Sequence, residues 1–136
     1  MFEIFDHTAD LGLRVRAGDR NALFGEAGRG FLSVVVSNPD AIEPRDALAV
    51  DIAGGPLDYL LLDWLTELLF LFESKGFLAA EFDMAVGDDG LAASVRGEPY
   101  DSARHLLAHE VKAVTYHELK VEHSADGWLA EVILDI

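Results

Sequence analysis

The stretch from Leu57 to Ser74 constrains the fold more than any other part of the chain. Its apolar residues cover most of the circumference of a helix and leave one narrow polar stripe through Asp63, Glu67 and Ser74. A helix of that kind needs cover on nearly every side, so it belongs at the centre of a core built from other elements. It does not read as a membrane span, because Asp58, Asp63, Thr66 and Glu67 interrupt it and a spanning helix needs about 20 predominantly apolar residues. Its ends are marked: Pro56 suits the first turn, Gly76 the position just past the C-terminus, and Lys75 the negative end of the helix dipole.

The elements that supply the cover are mostly strands. Phe2 to Phe5 reads as a short strand, and Leu11, Leu13 and Val15 alternate with Gly12, Arg14 and Arg16 in the period of a half-buried one. From Asn21 to Val36, Leu23, Phe24, Ala27, Phe31, Val34 and Val35 recur at helical spacing, although Gly25, Gly28 and Gly30 weaken that helix. After the turn formers Ser37-Asn38-Pro39-Asp40, Ala47 to Ala53 is a strand ended by Gly54-Gly55-Pro56. Beyond the central helix, Phe77 to Val86 and Leu91 to Arg96 form a hairpin about Gly87-Asp88-Asp89-Gly90. Val111 to His123 and Trp128 to Ile136 form another about Ala125-Asp126-Gly127. Two helices among strands that become consecutive and antiparallel describe an α+β fold. The expectation is a two-layer single domain over residues 1–136, a mainly antiparallel sheet with two helices packed on one face. At 136 residues and 51% hydrophobic content, the chain suffices for one continuous core.

Charge narrows the choice of partners. Twenty-five acidic residues against ten Lys and Arg give a net charge of -15, and such a surface repels phosphate. Extended binding to nucleic acid relies on basic side chains neutralising phosphates, so no strong direct binding to RNA or DNA is expected. A cation or a basic protein partner fits better. The absence of cysteine excludes disulfides, zinc-thiolate sites and thiol catalysis. No basic stretch followed by an apolar signal core opens the chain, which leads to the expectation of a cytoplasmic protein with no membrane association.

Four groups of residues are candidates for chemistry, and each has a plainer alternative. Asp6-His7-Thr8-Ala9-Asp10 is either a turn that bonds its own backbone or a loop in which Asp10 is a hard oxygen ligand for a divalent ion, with His7 in support. Asp135 and the main chain of Ile136 are either a frayed end or, if their strand is held in the sheet, further oxygens for calcium, magnesium or manganese. Lys112 at a strand start is either solvated or placed to meet a phosphate or balance acidic groups. His105 and His109 have the four-residue spacing of a helical zinc pair, but the segment reads as a loop and has no Glu-x-x-His pattern. No phosphate loop, Gly-x-Ser-x-Gly elbow or dinucleotide fingerprint is present, which counts against an autonomous enzyme.

Five segments taken in order resemble the archease family. They are Phe5-Asp6-His7-Thr8-Ala9-Asp10-Leu11-Gly12, Leu61 to Leu69 on the long helix, Gly97-Glu98-Pro99-Tyr100-Asp101, Glu110 to His117 and Val132-Ile133-Leu134-Asp135-Ile136. The resemblance implies an accessory protein for an RtcB-type RNA ligase in tRNA splicing, tRNA processing and RNA repair. Its role would be to promote GTP-dependent guanylylation of the ligase and multiple turnover. It also implies metal ligation by Asp10, Asp135 and the Ile136 main chain, and a role in ligase activation for Lys112. A general chaperone or adaptor for RNA-modifying enzymes, and less readily a small metal-dependent hydrolase, are the competing classes.

Overall fold

The computed structural model describes residues 1–136. In chain order the elements are β1 (Phe2–His7), β2 (Asp10–Ala17), α1 (Arg20–Val35), a short 3-10 turn at Pro39–Ala41, β3 (Asp46–Ala53), α2 (Leu57–Lys75), β4 (Phe77–Val86), β5 (Gly90–Pro99), β6 (Ala113–Ser124) and β7 (Gly127–Asp135). This is the expected α+β arrangement. The strands divide between two antiparallel sheets, β1-β2-β7-β6 and β3-β5-β4. The stretch between β5 and β6, which passes from one sheet to the other, forms no strand and bonds to the end of α1. There His109 and Ala108 amides donate to the carbonyls of Val34 and Val35, and Ser37 N donates to Leu106 O. Helix carbonyls that would otherwise lack partners are met by this crossover.

The helices begin and end as their residues dictate. Asp19 caps α1, accepting from Ala22 N at 2.8 Å, one of the first-turn donors that has no partner within the helix. α2 stops at Gly76, whose φ of 64° lies in the left-handed region that favours glycine, and the Gly76 amide donates to Leu71 and Phe72 carbonyls. The polar stripe of α2 faces outward at Asp63 and Ser74, while Leu60, Leu61, Trp64, Leu65, Leu68, Leu69 and Leu71 are buried. No helix is long and apolar enough to cross a membrane.

The glycines of α1 have a packing role that periodicity does not display. A Cβ on Gly28 would lie 2.9 Å from the Phe82 ring of β4, and one on Gly30 would lie 2.5 Å from Leu13 of β2. α1 therefore sits close to both sheets at once. Trp64, fully buried, joins the layers: its indole N–H donates to Phe24 O at 3.0 Å and its ring meets Phe82 edge-on at 5.9 Å. One cluster of 31 buried residues runs through both sheets and both helices, so each sheet relies on the same core.

Candidate functional site

The helices cover one face of the four-stranded sheet, and the registers arrange the other face in rows. Leu11, Leu13 and Val15 of β2 pair with Leu134, Val132 and Ala130 of β7 and point into the core. The alternate residues point outward, because successive strand side chains take opposite faces. One outward row is Glu3, Arg14, Glu131 and Lys120, with signs that alternate across the strands. Arg14 lies 3.3 Å from Glu3 and 3.4 Å from Glu131, and Lys120 lies 3.4 Å from Glu131. These carboxylates hold the Arg14 guanidinium above its ordinary pKa, chiefly through the hydrogen bonds it donates to Glu131 and Glu3. The next row contains Phe5, Gly12, Ile133 and Thr115. The Phe5 ring lies over Gly12 so closely that a Cβ there would come within 2.1 Å of it.

The last row carries the residues singled out in the sequence. His7 pairs with Asp10 and Ala113 pairs with Asp135. Leu11 pairs with Leu134 as the last pair of the β2–β7 ladder, and Asp10 and Asp135 are the next residues on the two strands. The first and last segments of the chain thus meet at one end of this sheet, and both aspartates are half-buried. Asp135 is held in β7 and does not fray: its carbonyl accepts from Lys112 N at 2.7 Å. Ile136 follows it directly and packs partly against the core. Lys112 joins this end through its backbone. It also lines a cleft of about 500 Å³ with Leu69, Phe72, Glu73 and His109, which Asp10 and Asp135 do not line.

The Asp6–Asp10 segment is a tight strand connection. Thr8 and Ala9 form the two-residue connection, with Ala9 at a φ of 68°, while His7 and Asp10 are the strand residues that flank it. His7 Nε2 lies 3.2 Å from Glu118 Oε2, and its ring meets that of His117 at 5.7 Å. His7 Nδ1 is buried without a hydrogen-bond partner. Glu118 has a φ of 56° within an irregular part of β6, where the register shifts between Thr115 and Lys120.

A second polar cluster is buried where the sequence showed only the end of a hairpin. Glu98 is 1% exposed and accepts from both Arg104 terminal nitrogens, from Glu43 N at 2.7 Å, and from His105 Nε2 at 3.0 Å. His105 Nδ1 accepts from Asp101 N at 2.9 Å, which leaves the ring proton on Nε2, facing Glu98. Arg104 holds the Glu98 carboxyl at about 2, well below its ordinary value, against the opposing effect of burial. The same cluster settles the His105–His109 spacing: His105 is buried against Glu98 and His109 is exposed in an irregular segment, so the two do not share a helix face. The signal available in the sequence was composition alone, a Glu, an Arg and a His within eight residues.

A single α+β domain of two helices and two antiparallel sheets, with its first and last strands in one sheet, is a fold that other proteins share. Residues 2–136 match the Archease protein family (MTH1598/TM1083). The archease of Methanopyrus kandleri is 38% identical over 139 residues, covering 99% of each chain, and that of Pyrococcus furiosus is 33% identical over 140 residues, covering 99% of this chain and 98% of its own. The solution structure of Methanobacterium thermoautotrophicum protein 1598 superposes with a TM-score of 0.84 at 32% identity, covering 99% of this chain and 98% of its own. The crystal structure of a Thermotoga maritima archease, described as a possible chaperone, shares the fold with a TM-score of 0.66 at 20% identity, covering 100% of this chain and 98% of its own. The chain belongs to the archease family.

Proposed function

We propose that this archease is an accessory protein that activates an RtcB-type RNA ligase in the cytoplasm. It would promote metal- and GTP-dependent guanylylation of the ligase and its repeated turnover in tRNA splicing and RNA repair. In this reading the ligase performs the chemistry. Asp10, Asp135 and the Ile136 main chain hold one divalent cation, and Lys112 acts toward the ligase-bound nucleotide.

The observation that carries the reading is the β2–β7 register, whose terminal pair Leu11–Leu134 leaves Asp10 and Asp135 as the next residues on the two paired strands. Both are half-buried at the end of a sheet whose β7 is held on each side, so their oxygens are presented by rigid elements and not by a loose end. A set made only of carboxylate and main-chain oxygens suits calcium, magnesium or manganese. When bound there, the cation supplies a centre of positive charge in an acidic surface. The protein's own residues orient it, and the net charge of -15 favours approach to a basic protein surface over approach to RNA.

The test is to mix the cognate ligase with GTP, a divalent ion and substoichiometric archease, then to measure ligase-GMP formation and repeated ligation. Stimulation by the wild type and its loss in Asp10→Ala and Asp135→Ala is the expected result. No stimulation, or full stimulation by both variants, rejects the proposal. Stimulation indifferent to both aspartates would identify a chaperone or adaptor acting through its surface alone.

A further inference from the structure

We propose a second metal site in this protein, formed by His7, His117 and Glu118 and suited to a transition-metal dication of the zinc class. It adjoins the oxygen site, because His7 pairs with Asp10 across β1 and β2, but it draws on its own nitrogen donors and does not depend on the ligase reading. The three side chains come from the two edge strands of the four-stranded sheet, His7 from β1 and the other two from β6. One ligand atom from each lies within 4.8 Å of the others.

Neighbouring residues of a regular strand point to opposite faces, so His117 and Glu118 could not both reach His7 from an unbroken β6. The irregularity removes that obstacle. Thr115 pairs with Ile133 and Lys120 with Glu131, so four residues, Tyr116 to Leu119, stand against Val132 alone. Within them Glu118 takes a φ of 56°, a conformation that non-glycine side chains seldom adopt. The outcome is a carboxylate between two imidazoles: Oε2 lies 3.2 Å from His7 Nε2 and Oε1 lies 3.6 Å from His117 Nε2.

Those separations match the edges of a coordination shell. Zinc bonds of about 2.0–2.2 Å to nitrogen and oxygen in tetrahedral geometry set ligand atoms about 3.3 Å apart. Rotation of the exposed His117 ring brings the remaining pair closer, and water completes the shell. The donor set also separates this site from its neighbour. Imidazole nitrogen favours zinc, cobalt or nickel, while carboxylate and carbonyl oxygens alone favour magnesium or calcium.

A plainer reading is a surface hydrogen bond between His7 and Glu118. It leaves two features without a reason, the strained backbone at Glu118 and the third residue, His117, at the same point. His7 Nδ1 is buried without a partner in either reading. That same nitrogen limits the site, because a zinc-bound imidazole usually gives its other N–H to an acceptor. The binding should therefore be weaker than in a closed four-ligand zinc site.

Cobalt(II) is the probe, because its visible absorption reports nitrogen-containing tetrahedral ligation. Untagged protein is titrated with cobalt(II), then with zinc(II) as competitor, for the wild type, His117→Ala, Glu118→Gln and the double variant Asp10→Ala/Asp135→Ala. Expected are one cobalt bound with visible bands, displacement by zinc, and a loss of affinity of roughly tenfold or more in His117→Ala and Glu118→Gln. Both substituted side chains are exposed, and circular dichroism establishes that the variants remain folded. The double aspartate variant should keep the bands. Absence of bands in the wild type, bands that persist in His117→Ala and Glu118→Gln, or bands lost with the two aspartates would each overturn the second site. None of these results bears on stimulation of the ligase.

Discussion

Replacing Glu98 with Gln removes one charge from a position with no access to water and tests what holds the crossover between β5 and β6. The carboxylate accepts from Arg104, His105 and Glu43, and every partner is a donor. A Gln amide presents one acceptor and two N–H donors, so its nitrogen must face at least one of those partners. The folded-state value of about 2, against an ordinary 4.5, measures the preference of the fold for the charged form. At about 1.4 kcal/mol per pH unit this difference is worth about 3 kcal/mol. Solvent reaches Arg104, which is 36% exposed, and screening reduces the effect to about 2–3 kcal/mol. Because the folded value lies below the unfolded one, the stabilisation is complete above pH 4.5 and is lost as pH falls toward 2. Urea unfolding of wild type and Glu98→Gln, repeated through that interval, measures both quantities. The gap should be about 2–3 kcal/mol near neutrality and should close on acidification. A variant within about 0.5 kcal/mol of wild type near neutrality, or a gap that does not change with pH, would refute the argument.

Three further outcomes follow from packing and ligation. Gly30→Ala should destabilise by about 1–2 kcal/mol in chemical denaturation, because contact with Leu13 and Phe2 exceeds the roughly 1 kcal/mol that alanine gains in an unpacked helix. Gly97→Ala should destabilise by about 3 kcal/mol or more in the same assay, since its Cβ would fall 1.9 Å from the Leu78 carbonyl, a backbone atom that no rotamer change can move. Calcium, magnesium or manganese at about one hundred times its dissociation constant should stabilise the wild type by about 2.7 kcal/mol. That rise, read in a thermal melt, should be reversed by chelator and absent in Asp135→Ala.

Much of the architecture was legible because it rests on local patterns. The all-round apolar character of α2 required a central place, and Trp64 and its leucines are buried there. Alternation identified β2, and the turn residues about Gly87–Gly90 identified the β4–β5 hairpin. The glycines of α1 pointed the other way by propensity. Their value became visible only with Phe82 and Leu13 packed against them, because contact at that distance depends on residues more than 50 positions away in one case and on a different sheet in the other. The division into two sheets was likewise not local, since it rests on which strands pair across long stretches of chain, β2 with β7 and β3 with β5.

The sequence by itself determined the α+β class, the central helix, the acidic surface and the chemical types at Asp10, Asp135 and Ile136. These follow from periodicity and composition, which are properties of a chain read in order. Tertiary structure alone decided which of those residues meet. The register of β2 against β7 brings Asp10 and Asp135 to the same end of the sheet, the irregular backbone of β6 turns His117 and Glu118 toward His7, and the crossover buries Glu98 beneath Arg104 and His105. Pairing across strands is set by the whole sheet and by loop geometry, and a slip of one residue would send every one of these side chains to the opposite face.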